Sequence, residues 1–174
     1  MEKATRSASP DPDSALALRD MSEKDIEEAC RVIAESMNGD EARWAERTMG
    51  FHFGCSKHGL YDGRHYFVYS VDGRVKALVG LHHWEWGPKE NVWLAWFAVE
   101  PGAQNKGIGK ALLQSAEALA RRMGFLKLFV ETYSQPEFEK ARQFYKASGF
   151  EEAGQIKDYL PGSHDMIVFS KNLF

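Results

Sequence analysis

At 174 residues the chain has the length of one domain with room for a substantial core. Hydrophobic residues make up 44% and charged residues 27%, proportions of a water-soluble globular protein, and a net charge of −3 argues against nucleic acid or an anionic membrane as partner. The longest apolar run, residues 92–99, is far shorter than the ~20 residues of a membrane span.

Residues 1–14, MEKATRSASPDPDS, lack the apolar segment of a secretory signal and read as a flexible tail, leaving 15–174 as a single domain. ALALRD, 15–20, alternates like a short strand. Ser22 and Asp25 then resemble a capping arrangement at the head of a helix over EKDIEEACRVIAES, with Asp in place of the usual Glu or Gln. Cys30 shares one stripe of that helix with Ile26, Ala29 and Ile33, which predicts a core thiol. Neither Cys30 nor Cys55 has CxxC spacing, so a reducing, cytoplasmic setting is expected. A second helix is expected over about 40–49, followed by an irregular GFHFGCSKHG. Asp72-Gly73 joins two strands as a hairpin, since both residues tolerate positive φ. Residues 92–99 read as a strand apolar on both faces and so central in its sheet. Ile108, Leu112, Ala116, Leu119 and Met123 mark an amphipathic helix that ends at Gly124. FLKLFVET is a further strand, 137–148 a helix stopped by Gly149, and EEAGQIKDY and DMIVFSKNL a final strand pair around LPGSH. The order is mixed α/β around a largely continuous sheet.

The junction VEPGAQNKGIG, 99–109, carries glycines into a first helical turn, where each weakens the helix by about 1 kcal/mol relative to alanine. A strand entering a helix through such a turn concentrates free N–H groups and a positive dipole end, which suits phosphate. A P-loop is ruled out because Ile108 and Gly109 stand where Lys and Ser/Thr belong. A dinucleotide fingerprint is weakened by Leu112 in its third glycine position, although Glu131 stands about where a ribose-binding acid would. A tight turn without a ligand is the remaining bland reading.

Context selects another pattern. Gln104, Gly107 and Gly109 fit Q/R-x-x-G-x-G/A between a strand and an amphipathic helix, and ARQFYKASGF, 141–150, fits A-x-x-F/L-Y-x-x-x-G-F. Together these resemble the two signatures of the GNAT-type N-acetyltransferase superfamily, and the resemblance extends over about 15–173. It implies a mixed, mostly antiparallel sheet of about six or seven strands flanked by about four helices. It also implies acetyl-CoA as cosubstrate and an amine as acceptor, and it allows a homodimer. The pantetheine arm would pair with the backbone of Phe97, Ala98 and Val99. The pyrophosphate would sit on the turn formed by Gln104, Asn105, Lys106, Gly107, Ile108, Gly109 and Lys110.

Acetyl transfer to an amine needs a neutral nucleophile, a stabilised oxyanion and a proton for the departing thiolate. The resemblance assigns the oxyanion to the Val99 N–H and the proton to Tyr145, whose ring also shares a helical stripe with Phe138 and Ala141. Glu131, at the end of its strand beside the expected cleft, is a candidate base, with Glu100, Glu85 and a water chain as alternatives. His82 and His83 point to opposite faces of a strand and no other ligand spacing accompanies them, so no metal site is expected. Phe138 stands where many members carry an asparagine that contacts pantetheine, a contact Thr132 or Ser134 could replace. The acceptor site would be built from 37–59 and 158–165. Alternation puts Trp93 and Trp96 on opposite faces of their strand. A CoA-binding interaction module without turnover is the rival reading.

Overall fold

The computed structural model describes residues 16–174; the expected tail, 1–14, lies outside them. Its elements are β1 (Arg19–Asp20), α1 (Ile26–Ser36), α2 (Gly39–Lys57), β2 (Arg64–Val71), β3 (Arg74–His82), β4 (Asn91–Val99), α3 (Ile108–Arg122), β5 (Lys127–Tyr133), α4 (Glu139–Ala147), β6 (Glu151–Leu160) and β7 (His164–Asn172). The strands form one seven-stranded sheet in the order β1-β2-β3-β4-β5-β7-β6. Among the described residues only the β4–β5 pair is parallel. The mixed, mostly antiparallel sheet with four helices is the architecture expected from the sequence.

Local chemistry explains most of the boundaries. Ser22 and Asp25 form a capping box at the entry to α1, and Arg19 adds a bidentate ion pair that holds the Asp25 carboxyl well below the usual carboxylate range. Asp72 and Gly73 both have positive φ, +50° and +77°, as the two-residue hairpin between β2 and β3 requires. Gly149 closes α4 at φ +84°.

Each face of the sheet carries one helix pair. On β3, Ala77, Val79 and Leu81 join Ile108, Leu112 and Ala116 of α3 and Tyr145 of α4. Leu78 points the other way, with Tyr66, Val68 and Ala98, against Val32 and Ile33 of α1 and Ala45 and Met49 of α2. Cys30 is half-buried against this second core, and burial pushes its thiol pKa up.

Two expectations are corrected. The second helix does not stop near residue 49 but runs to Lys57, capped by Asn38, whose Oδ1 accepts from the Glu41 N–H at 2.8 Å. Gly50 and Gly54 suggested irregular chain, yet nothing approaches either closely. Tertiary contacts carry the helix through them: Phe53 packs on the core, and His52 Nδ1 lies 2.8 Å from Asp62 Oδ1. The second correction concerns β4. Its register with β3 passes from Gly80↔Ala95 to Leu78↔Ala98, so Trp96 and Phe97 together oppose Val79. This β-bulge, with Trp96 at φ +45°, reverses the alternation. Trp93 and Trp96 therefore share the α1–α2 face. Trp93 stacks between Trp84 and Phe129, and the Trp96 indole N–H donates to Thr48 Oγ1 at 2.7 Å.

Candidate active site

Pairing between β4 and β5 covers only Asn91–Trp93 against Lys127–Phe129, after which the two strands part. A cleft of about 770 Å³ passes through the gap, from the N-terminus of α3 and α4 on one face to α2 on the other. The antiparallel register on the far side of β4 decides which backbone groups face it. Ala98 pairs with Leu78, and the Glu100 N–H donates to the Lys76 carbonyl, so alternation turns the N–H and C=O of Val99 away from β3 and into the gap. The peptide groups of Ala98, by contrast, belong to the β3 ladder.

The turn after β4 is built around backbone conformation. Asn105 and Gly107 have φ +58° and +79°, and Gly107 caps α3. The N–H groups of Asn105, Lys106, Gly107, Ile108 and Gly109 make no hydrogen bond within the described residues. Gln104 departs from the expected set: its N–H is used by the Pro101 carbonyl, and its side chain donates to the Val99 carbonyl at 2.9 Å, tying turn to strand. Lys106 donates its ammonium to the Gly102 carbonyl. At Gly109 an added Cβ would meet only the Phe144 ring, at 3.7 Å, an ordinary contact. The glycine there leaves the helix start open rather than relieving a clash.

Tyr145 of α4 lies at the bottom of the cleft between these features. It is 6% exposed, sits in an aromatic cage of Phe97, Phe144, Phe150 and Phe169, and its hydroxyl has no partner among the described residues. Burial raises its pKa, which keeps it protonated. The stripe of Phe138, Ala141 and Tyr145 is thus core packing and cleft lining at once. The Thr132 hydroxyl, also buried in this lining, has no partner either, whereas Ser134 Oγ already accepts from the Asp165 N–H.

Across the gap, Glu131 opens into the cleft and burial raises its carboxyl pKa. Glu41, from the first turn of α2, stands close enough to repel it, and its own pKa is raised by burial, Asp40 and Glu131. Tyr133, stacked on Tyr159, is raised by burial and by both carboxylates. Glu41 was missed as an individual residue in the sequence, although it falls in the 37–59 segment expected to build this side. Glu100 is committed elsewhere, to Lys76 at 2.7 Å and Arg31 at 3.1 Å. His82 lines the cleft while His83 Nδ1 turns to the Asn91 carbonyl.

The pattern described as the acetyltransferase (GNAT) family matches residues 24–150, most of the chain. The chain belongs to the GNAT acetyltransferase family. Blasticidin-S acetyltransferase of Streptomyces morookaense is 37% identical over 87 residues, 49% of this chain; the match spans 57% of that protein's length. Among solved structures, a GNAT-family protein from Desulfovibrio desulfuricans superposes with a TM-score of 0.81 at 23% identity, covering 92% of this chain and all of that one. An aminoglycoside 6'-N-acetyltransferase complexed with coenzyme A has a TM-score of 0.69 at 11% identity, covering 91% of this chain and 98% of its own. At such identities the structural likeness concerns the fold.

Phe138 packs edge-on against Tyr133, 5.3 Å between centroids, and supplies an apolar part of the cleft wall.

Proposed function

We propose that the protein moves an acetyl group from acetyl-CoA to a cationic amine, with residues 15–174 acting as one catalytic domain. The observation that carries this reading is the outward-turned Val99 peptide at the parting of β4 and β5, placed between a turn of unpartnered N–H groups and a pair of raised carboxyls.

The turn from Asn105 to Lys110 receives the pyrophosphate through its N–H groups at the positive end of α3. Pantetheine lies along Phe97 and Val99 as a substitute strand, with the Thr132 hydroxyl replacing the missing asparagine contact. An acceptor ammonium is drawn to Glu41 and Glu131 and gives up its proton to Glu131, whose raised pKa brings it nearer to the working pH of a base. The free amine attacks the thioester carbonyl, and the Val99 N–H receives the developing oxyanion. The C–N bond forms, the nitrogen gives up its second proton to solvent, the C–S bond breaks, and the sulfur takes its proton from the Tyr145 hydroxyl, which solvent refills. Burial keeps Tyr145 protonated, so its proton moves only as charge grows on the sulfur. Two unbridged cysteines, Cys30 and Cys55, suit a reducing cytoplasm.

A thermal melt with acetyl-CoA, CoA and NADH tests the binding half. Acetyl-CoA at about 100 times its Kd adds roughly 2.7 kcal/mol, a shift of several degrees, while NADH gives none. Thiol release across an amine panel tests turnover. Binding without release on any amine would favour an interaction module, and no shift with any acyl-CoA would overturn the site.

A further inference from the structure

The carboxylate pair occupies one side of the acceptor half of the cleft. The opposite wall, on the α1–α2 face, has a contrasting chemistry that the transfer itself does not use. Register sets Tyr66 opposite Gly80 and Gly80 opposite Ala95, two small residues that leave room above the sheet. The Tyr66 ring lies across Gly80, where even a methyl group would come within 2.8 Å of it, and His52 braces the ring edge-on at 5.2 Å. Tyr66 is 4% exposed and lines the cleft; its hydroxyl has Thr48 and Arg64 as polar neighbours but makes no well-formed hydrogen bond among the described residues. A buried hydroxyl without a partner is a costly arrangement that a ligand atom would relieve.

Two residues along β2, on the same face, Arg64 stands opposite His82. Arg64 gives Nη1 to Asp62 Oδ2 at 3.1 Å and neighbours the Tyr66 hydroxyl, while its Nε and Nη2 make no well-formed hydrogen bond among the described residues. His82 Nδ1 accepts from the Trp84 indole N–H at 3.0 Å, and since indole nitrogen only donates, the neutral ring carries its hydrogen on Nε2. Burial pushes the His82 pKa down to about 4, which keeps the ring neutral near pH 7. Thr48 stands beside the Tyr66 hydroxyl, but its own hydroxyl is engaged, accepting from Trp96 and donating to the Ala45 carbonyl. The wall therefore presents donors, facing an opposite side that presents acceptors.

We propose that the acceptor is a small zwitterionic amine, an amino-acid-like compound whose ammonium meets Glu41 and Glu131 and whose carboxylate is received by the Tyr66 hydroxyl beside Arg64 and His82. The inference rests on the acetyl-transfer reading above and names its substrate class. A diamine would set like charge against Arg64, and an alkylamine would leave Tyr66 unpaired.

Matched series decide it: ω-amino carboxylates, amino alcohols and diamines of three to six carbons, assayed for kcat/KM with wild type and Tyr66→Phe. Wild type should prefer the carboxylate over its matched alcohol and diamine by at least tenfold at one or more chain lengths, through KM. Tyr66→Phe should cut that preference at least fivefold with little change in Tm, because the deleted hydroxyl makes no well-formed hydrogen bond. Alcohols or diamines used as well as carboxylates throughout, or a preference that survives Tyr66→Phe, would overturn the inference. Calorimetry of the same compounds in the presence of CoA separates the two readings. Carboxylate-selective binding that Tyr66→Phe weakens, with no amine acetylated, would sink acetyl transfer and uphold the carboxylate wall. Turnover or binding without selectivity would sink the wall alone.

Discussion

The two halves of the cleft are built from different material. The half around the α3 turn is made of backbone: unpartnered N–H groups from Asn105 to Gly109 and the outward peptide of Val99, with its nearest lysine, Lys106, turned back onto the Gly102 carbonyl. The half proposed to hold the acceptor is made of side chains from distant segments: Glu41 from α2, Tyr66 and Arg64 from β2, His82 from β3 and Glu131 from β5. A backbone site is indifferent to most side-chain deletions and sensitive to anything that fills its space. A side-chain site behaves the opposite way. CoA is one fixed ligand and suits the first construction, while acceptors differ and suit the second.

Substitutions can break this contrast, beginning with the largest effect. Tyr145, where the halves meet, is a side chain expected to act on the sulfur, so Tyr145→Phe should lower kcat by about 10²–10⁴-fold with little change in Tm or acetyl-CoA affinity. A wild-type kcat would leave positioning and the Val99 peptide as the agents of catalysis. Glu131→Gln should lower kcat/KM by roughly 10–100-fold, less than a sole base would, because Glu41 stays beside the amine. It should also alter the acid limb of the pH profile. The Glu131 pKa is raised, the base form exists above it, and so wild-type activity falls on acidification from a higher pH than an ordinary glutamate near 4.3 would set. That limb should move to lower pH or vanish in the variant; an unchanged limb would take the base role from Glu131.

The backbone half should answer to added bulk instead. Gly109→Glu introduces a side chain and negative charge at the open start of α3, and CoA affinity should drop at least tenfold, about 1.4 kcal/mol, by calorimetry. Gly109→Ala serves as control, since its Cβ meets the Phe144 ring at an ordinary 3.7 Å. The smallest effect belongs to Lys106→Ala, which should change CoA affinity by less than about fivefold, some 1 kcal/mol. A larger loss from Lys106→Ala than from Gly109→Glu would invert the contrast and make the turn a charge-based site.

Away from the cleft, the Ser22–Asp25–Arg19 arrangement gives a stability signature. Its depressed carboxyl pKa means that the folded state releases the proton more readily than the unfolded chain. The contribution is full above the ordinary value near 3.9 and declines as pH falls below it. Ser22→Ala should cost about 0.5–2 kcal/mol in denaturant melts.

Much of this was readable along the chain where one segment carries its own signal. The Asp72-Gly73 hairpin and the α3 stripe each lie within one continuous segment, so spacing alone reveals them, while the turn from Gln104 to Lys110 was read from its glycines together with the family resemblance. Tyr145 was identifiable because its motif surrounds it. The Trp93–Trp96 relation was not, because a bulge shifts parity without any marker in residue type. The run of α2 past Gly54 was not either, because packing of Phe53 and the His52–Asp62 contact supply what helix propensity lacks there.

Local preference, then, specified the elements, their order and the phosphate-ready turn, since each depends on backbone conformations and periodicities set by near neighbours. The parting of β4 from β5, the direction of the Val99 peptide and the meeting of Glu41 with Glu131, or of Tyr66 with Arg64 and His82, came only with folding. They depend on register between strands and on which helix covers which face. No residue's immediate neighbours encode that register; it is settled by the burial of two cores at once.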